Sequence, residues 1–190
     1  MAISAIALCS RALLELGARP IASFDEGTAE AEVAANLYPS LRDVLLSTHA
    51  WSFATAQVRL PWLEAPPVAD YAAAFQLPAD FLRAVSAGVG ARGRGLSYRI
   101  IDRRLHTSSS EVFLTYIFSP AETDFPPFFD QLLIARLASE FCIPITERTS
   151  RAEMLYRIAE AEFCRGRLID AQQDTPVALE DFPLIEVRGQ

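Results

Sequence analysis

The hydrophobic period of this chain changes twice, and that double change limits the folds open to it. Residues 2–17 place Ile3, Ile6, Ala7, Leu13, Leu14 and Leu16 on one broad helical face, ending at Gly17 and Pro20, a common stop for a helix. Thr28 is positioned to N-cap a second helix over 28–48, with Glu30 and Glu32 at the positive end of its dipole. Pro39 predicts a kink or a restart within it. From about residue 50 to 118 the pattern becomes short runs of aromatic and branched residues, at 51–60, 81–87, 96–101 and 111–118, separated by Gly, Pro and Ser clusters. In the last run Val112, Leu114, Tyr116 and Phe118 share one face, and Phe113 and Ile117 the other. Such a strand is expected to be covered on both sides, or on one side by a partner.

Helical spacing then returns. Pro126 and Pro127 suit the first turn of a helix over 126–142, with Leu132, Leu133, Ile134, Leu137 and Phe141 apolar. Ser150 and Glu153 have capping-box spacing for a last helix over 150–172, and Glu153 and Arg157 stand in the favourable i,i+4 order. Helices, then strands, then helices exclude an alternating βαβ chain. They predict an α+β fold, a helical bundle with an N-terminal helix pair, long C-terminal helices and a central inserted antiparallel β region. Residues 1–174 read as one domain and 175–190 as an extended C-terminal arm. Val177, Leu179, Phe182, Leu184, Ile185 and Val187 make that arm too apolar for a freely solvated end, while Pro176 and Pro183 oppose a helix. An arm of this kind docks either on its own core or on a neighbouring chain.

Composition removes several chemistries. Twenty-four acids face seventeen bases, a net charge of −7, which argues against a non-specific nucleic-acid coat. All the bases are arginine, as in the coding bias of a GC-rich genome, so no lysine is present for a Schiff base or for a Walker motif. Cys9, Cys142 and Cys164 are widely spaced, with no CxxC or Cys/His cluster, which speaks against structural zinc and disulfides and for a reducing compartment. Met1 to Leu8 lacks a basic leader and is soon interrupted by Arg11 and Glu15, and no run reaches the length of a membrane span. A protein assembled in the cytoplasm, with no membrane partner, is expected.

The residues that could carry chemistry are few. Gly88, Gly90 and Gly93 match GxGxxG, but the residues that follow alternate like a strand, so the segment is read as a β-connection rather than a dinucleotide loop. His49 and His106, beside many acids and serines, allow Ser/His/Asp triples to be written freely, and Cys142 and Cys164 read as ordinary buried thiols on helix faces. No catalytic set, metal site or cofactor is expected, and the chain is not read as an enzyme. Arg83, Arg92, Arg94, Arg99, Arg103 and Arg104 form a basic tract with Asp102 as its one acid. It could be a solvated strand surface, a protein interface or a phosphate-binding loop. On the last helix Glu162 and Arg165 share an arc with Met154, Leu155, Ile158 and Ile169, pairing with each other or across a subunit boundary.

The N-terminal quarter carries a spaced signature. Leu13-Leu14-Glu15-Leu16-Gly17-Ala18-Arg19-Pro20-Ile21-Ala22-Ser23-Phe24 is followed by Tyr38, Arg42, Leu45, Leu46 and Trp51-Ser52-Phe53-Ala54, with Leu77-Pro78-Ala79-Asp80-Phe81-Leu82 further along. This resembles the head-to-tail connector proteins of tailed phages, the tail tubular protein A type of adaptor, which also occurs in prophages and gene transfer agents. The likeness covers residues 5–60 best and 75–85 fairly. It implies a ring, commonly of twelve copies, between the portal protein and a downstream tail or stopper component. Double-stranded DNA would pass through without sequence-specific binding, and the protein would reside at the head–tail junction of a particle. Leu16, Gly17, Pro20, Ile21, Phe24, Tyr38, Trp51, Phe53, Leu77, Pro78, Asp80 and Phe81 are its signature positions. Contacts with the portal or a neighbouring subunit are expected from Arg92, Arg94, Arg99, Arg103 and Arg104, from Glu162 and Arg165, and from Leu179, Phe182, Leu184 and Ile185. A small DNA-binding or packaging accessory protein using the arginines of 83–104 is the alternative.

Overall fold

A computed structural model describes residues 3–90 and 93–173. Four helices, α1 (Ala5–Glu15), α2 (Ala29–Thr48), α3 (Pro127–Thr146) and α4 (Thr149–Asp170), enclose seven strands in sequence. The strands are β1 (Thr55–Arg59), β2 (Trp62–Leu63), β3 (Ala73–Gln76), β4 (Phe81–Gly88), β5 (Arg99–Ile101), β6 (Arg104–Thr107) and β7 (Phe113–Phe118). The chain is therefore α+β, with the expected helical bundle and inserted antiparallel region. Three of the strands, β2, β3 and β6, lie where no strand was expected, and His106 sits on β6 rather than in a turn. These pieces are two to four residues long and gain their regularity from neighbours distant in sequence.

Local chemistry sets most helix ends. Ser4 caps α1 through the Ala7 N–H, and Thr28 caps α2 through the Ala31 N–H, as its sequence predicts. The helix α2 runs as one element through Pro39, whose missing N–H leaves the Ala35 carbonyl free on an exposed face where water can reach it. Leu14 departs from the expected apolar face of α1 and is exposed. α3 continues past 142 to Thr146 and ends on Glu147 in the left-handed region (φ 57°), whose N–H donates to Ile143 O. Only Glu147 and Arg148 then separate it from α4, which starts before Ser150 with no side-chain cap. The capping box does not form because packing of α4 on α3 fixes the start of the helix. Glu153 and Arg157 likewise do not pair.

Two cores share one strand. The three-stranded sheet has order β1-β7-β4 and the four-stranded sheet β2-β3-β6-β5, all antiparallel. Val112, Leu114 and Tyr116 point from the β7 segment into a core shared with Phe75, Leu77 and Leu105 of the second sheet. On the other face of β7, Ile117 enters the helical core with Leu8, Leu13, Leu46, Phe129, Leu133 and Phe141. Of the strand expected to be covered on both sides, or on one side by a partner, one face is buried in the sandwich core; on the other, Ile117 is buried in the helical core while Phe113 stays half-buried.

Trp51 sits where helices and strands meet. It is fully buried, and its indole N–H donates to Leu45 O at 3.1 Å. Edge-on contacts join it to Phe129 at 5.4 Å and Phe163 at 5.9 Å, and Phe53 and Phe128 lie just beyond 6 Å. Gly166 of α4 passes beneath the ring: a Cβ there would meet Trp51, Leu132 and Phe128 at 3.6 Å, ordinary contact distance. Gly166→Ala is therefore expected to raise stability by about 0.5–1 kcal/mol, since it removes a helix-interior glycine without a clash. Trp51→Ala should cost about 3–5 kcal/mol by opening a cavity. Urea unfolding of the two variants tests both, and a destabilised Gly166→Ala would show that the ring cannot accept the methyl.

Candidate interaction surfaces

Among the described residues, the basic tract does not fold into one patch. β5 and β6 form a hairpin whose two turn residues, Asp102 and Arg103, are both left-handed (φ 49° and 54°), the backbone of a tight type I′ turn. Its tip presents Arg103 and Arg104, both exposed. Arg103 donates to Ala79 O at 3.2 Å, which places the tip at the start of β4. Arg94 lies at the other end of that strand: Leu96 N donates to Ala87 O, and Ser86 Oγ to Gly93 O, each at 3.0 Å. At a rise of about 3.3 Å per residue, the two ends of β4 are on the order of 20 Å apart. Arg99 pairs at 3.3 Å with Asp70 in a solvent-exposed bridge of little energetic weight. Arg92 lies outside the described residues.

The GxGxxG segment serves this same connection. Gly88 closes β4, and a Cβ there would collide with the backbone of Gly93 and Arg94, which cross it directly. No helix follows within the described residues, so the segment is the β-connection its sequence suggests. Its first glycine is required by close backbone approach, not by a phosphate.

α4 presents a second surface. Ala152, Leu155, Ala159 and Gly166 face the core, whereas Met154, Ile158, Ala161, Arg165 and Leu168 follow one another at spacings of four and three along the outside. Met154, Ile158 and Leu168 are 55%, 45% and 68% exposed. Leu155 thus leaves the arc on which the sequence placed it, because it points inward. Glu162 and Arg165 do pair within the helix, loosely, at 3.8 Å. Cys164 is exposed, in contrast to the expected burial, while Cys9 and Cys142 are buried and desolvation pushes the Cys9 thiol up to about 12.

The signature positions are mostly packing and turn residues. Leu16, Ile21, Tyr38, Trp51 and Leu77 are buried, and Gly17 is left-handed (φ 73°) just beyond α1. Phe24 lies against Tyr38, Phe53 against Phe129, and Phe81 is stacked on Tyr116. Asp80 accepts from Tyr116 Oη at 3.3 Å, Pro78 gives its carbonyl to Phe81 N, and Pro20 is exposed in the turn after α1. The Tyr38 hydroxyl and Arg42 both donate to Glu122 at 3.0 Å and fasten the entry to α3 onto α2; against the desolvation of burial, the Glu122 backbone N–H together with these two donors holds the carboxyl below its usual range.

One polar cluster was not legible in sequence. Asp170, the last residue of α4, is buried and accepts from Ser52 N at 3.1 Å and Ser52 Oγ at 2.6 Å. His49 Nε2 stands 3.6 Å from the same carboxylate. A Ser, a His and an Asp therefore meet, but not as a nucleophilic triad: serine gives its proton to the aspartate instead of the histidine. The cluster clamps the end of α4 to the chain just after α2, across 118 residues of sequence. No local signal marks such a contact. Leu179, Phe182, Leu184 and Ile185 lie outside the described residues. Among those described, no helix is long and apolar enough to cross a membrane. Comparison with protein-family models and with curated proteins yields no match to this chain.

The clamp gives two expected outcomes. Asp170→Ala should lower unfolding stability by about 1–3 kcal/mol, because the Ser52 donors lose a charged acceptor in a buried place. His49 behaves differently. Burial, reinforced by Arg167 and Arg83, outweighs the attraction of Asp170 and holds the imidazole below its ordinary value of 6.5. The fold favours neutral His49, so its contribution is fully present above about pH 6.5 and declines as pH falls through that value. His49→Gln should flatten this part of a melting-temperature profile taken from pH 7.5 to 5; an unchanged slope would assign it to other groups.

Proposed function

We propose that this protein is a structural head–tail adaptor, forming a ring between a portal and the tail of a phage-like particle. The observation that carries the reading is the spaced connector signature of residues 12–54, continued at 77–82. It is supported by the way those positions act together: Gly17 and Pro20 turn the chain out of α1, Tyr38 ties α2 to the entry of α3, and Trp51 seats the first strand against the bundle. The outer stripe of α4 adds an apolar surface of the kind a repeated side-to-side contact requires. A closed ring repeats one heterologous interface, so a single face of this sort, met by a different face of the next copy, suffices. No reacting group is needed for the task. The net charge of −7 suits a channel wall past which DNA slides, since few phosphate contacts mean little affinity. Portal protein, a downstream tail component and further copies of this chain are the partners, and the ring number is taken as twelve from the connector likeness.

The DNA-binding alternative rests on the arginines of 83–104. The separation of Arg94 from Arg103 and Arg104 by the length of β4 favours distinct protein contacts over one phosphate-binding patch.

Native mass measurement of the protein alone and with portal protein, together with fractionation of particles, tests the proposal. A ring-sized species and co-purification with particles are expected. A protein that never exceeds a dimer in either sample and is absent from particles refutes it. Ile158→Glu with Leu168→Glu should abolish ring formation while leaving the melting temperature within a few degrees, since both side chains are exposed. Arg92→Glu with Arg94→Glu should weaken assembly if that end of the sandwich is an interface. Retention of duplex DNA by the isolated protein, with steep salt dependence, would favour the alternative instead.

A further inference from the structure

We propose that the C-terminal segment 175–187 docks in cis, in the apolar groove that α2 and α4 leave open over α3. α2 and α4 both pack on α3 but meet each other little, and the trough between them is lined by Leu41, Val44, Leu45, Leu132 and Phe163, with Glu160 facing Arg136 at 3.6 Å beside them. On α2 the residues Leu41, Val44, Leu45 and Thr48 recur at i, i+3, i+4 and i+7; Leu45 belongs to the bundle core and Leu41 packs against it, while Val44, at the margin of that face, is 60% exposed. Arg136 closes the groove, bonded to Glu140 at 2.9 Å and lying over the Tyr156 ring.

The size of the groove selects its occupant. It encloses about 210 Å³. Pockets that hold drug-sized ligands are larger, roughly 300–1,000 Å³. This trough suits two or three apolar side chains of an extended peptide. The chain itself supplies one. Asp170 is clamped to Ser52 and His49, immediately after the end of α2, so the described chain finishes at the mouth of the groove. The residues beyond it include Val177, Leu179, Phe182, Leu184 and Ile185, with Pro176 and Pro183 to keep the segment extended. From residue 174, nine extended residues reach at most about 30 Å. The fourteen helical steps of α4 from Tyr156 to Asp170 span about 21 Å. Leu179 can therefore reach Phe163, and Phe182 can reach the Tyr156 end. Tethering at the mouth sets a local concentration of order millimolar, which favours the chain's own segment over a second copy's at ordinary protein concentration.

A cysteine pair tests this in the full chain. Val44→Cys with Phe182→Cys, in a Cys164→Ser background, is oxidised with diamide at micromolar protein and compared with Met154→Cys plus Phe182→Cys on the far side of α4. An intramolecular bond in the first pair, at least about tenfold faster than in the second and independent of protein concentration, is expected from the tether. Equal rates for both pairs overturn the proposal, and so does a product found only as a disulfide dimer, which would place the arm on a neighbour. Hydrogen exchange on the unmodified protein is the second readout. Amides of 177–187 should be protected at least about tenfold and lose that protection in Val44→Asp, whose surface position leaves the fold intact. Fast exchange of those amides in the unmodified protein also overturns the proposal. Neither experiment depends on ring assembly, so its result stands apart from that of the adaptor reading.

Discussion

Burial of Trp51 is the constraint around which the other elements are arranged. Its indole N–H needs a partner once it leaves water, and the carbonyl of Leu45, at the end of α2, provides one. Its faces and edges are filled from three directions: Phe128 and Phe129 from α3, Phe163 and the bare backbone of Gly166 from α4, and Phe53 from the turn before β1. A ring of this size, buried with no accessible surface, contributes about 2–3 kcal/mol, and each neighbouring aromatic adds its own burial and edge contacts. Gly166 leaves a small space beside the ring that a Cβ would fill at ordinary contact distance.

From that junction the molecule extends in two directions with different physics. The helical side is held by a continuous apolar core and by two polar fastenings, Glu122 to Tyr38 and Arg42, and Asp170 to Ser52. Each joins segments far apart in sequence, and each is partly shielded from water, so it does more than an exposed ion pair such as Arg99–Asp70. The strand side is a small sandwich whose second sheet is built from short strands around Phe75 and Leu105. β7 belongs to both sides, with Ile117 in one core and Leu114 in the other, and this shared strand couples them.

The surfaces suited to partners follow from what these cores leave over. α4 uses one stripe on α3 and presents another, and α2 leaves Val44 exposed beside its core face. The adaptor proposal would call on such faces more than on a cleft. The proposed roles divide them: the outer face of α4 toward a neighbouring copy, and the groove toward the chain's own C-terminal segment.

How much of this could be read in advance depended on the range of the interaction. Thr28 as a cap, Pro127 opening α3, the two-faced pattern of β7 and the α+β order are local, set by side chains within a few residues, and the sequence by itself determined them. The short strands β2, β3 and β6 were hidden because four residues carry too little periodicity to stand out. The start of α4 was misplaced because packing on α3 prevailed over a local capping pattern. Leu14 and Leu155 moved off their expected faces because a helix wheel gives spacing, not which side the neighbours occupy. The candidate surfaces were the least legible. Arg94 and Arg103, close in sequence, ended near opposite ends of β4, and Asp170 found Ser52 across more than half the chain. Those placements belong to tertiary structure alone, because a charge or a buried carboxylate takes its meaning from whatever the fold brings beside it.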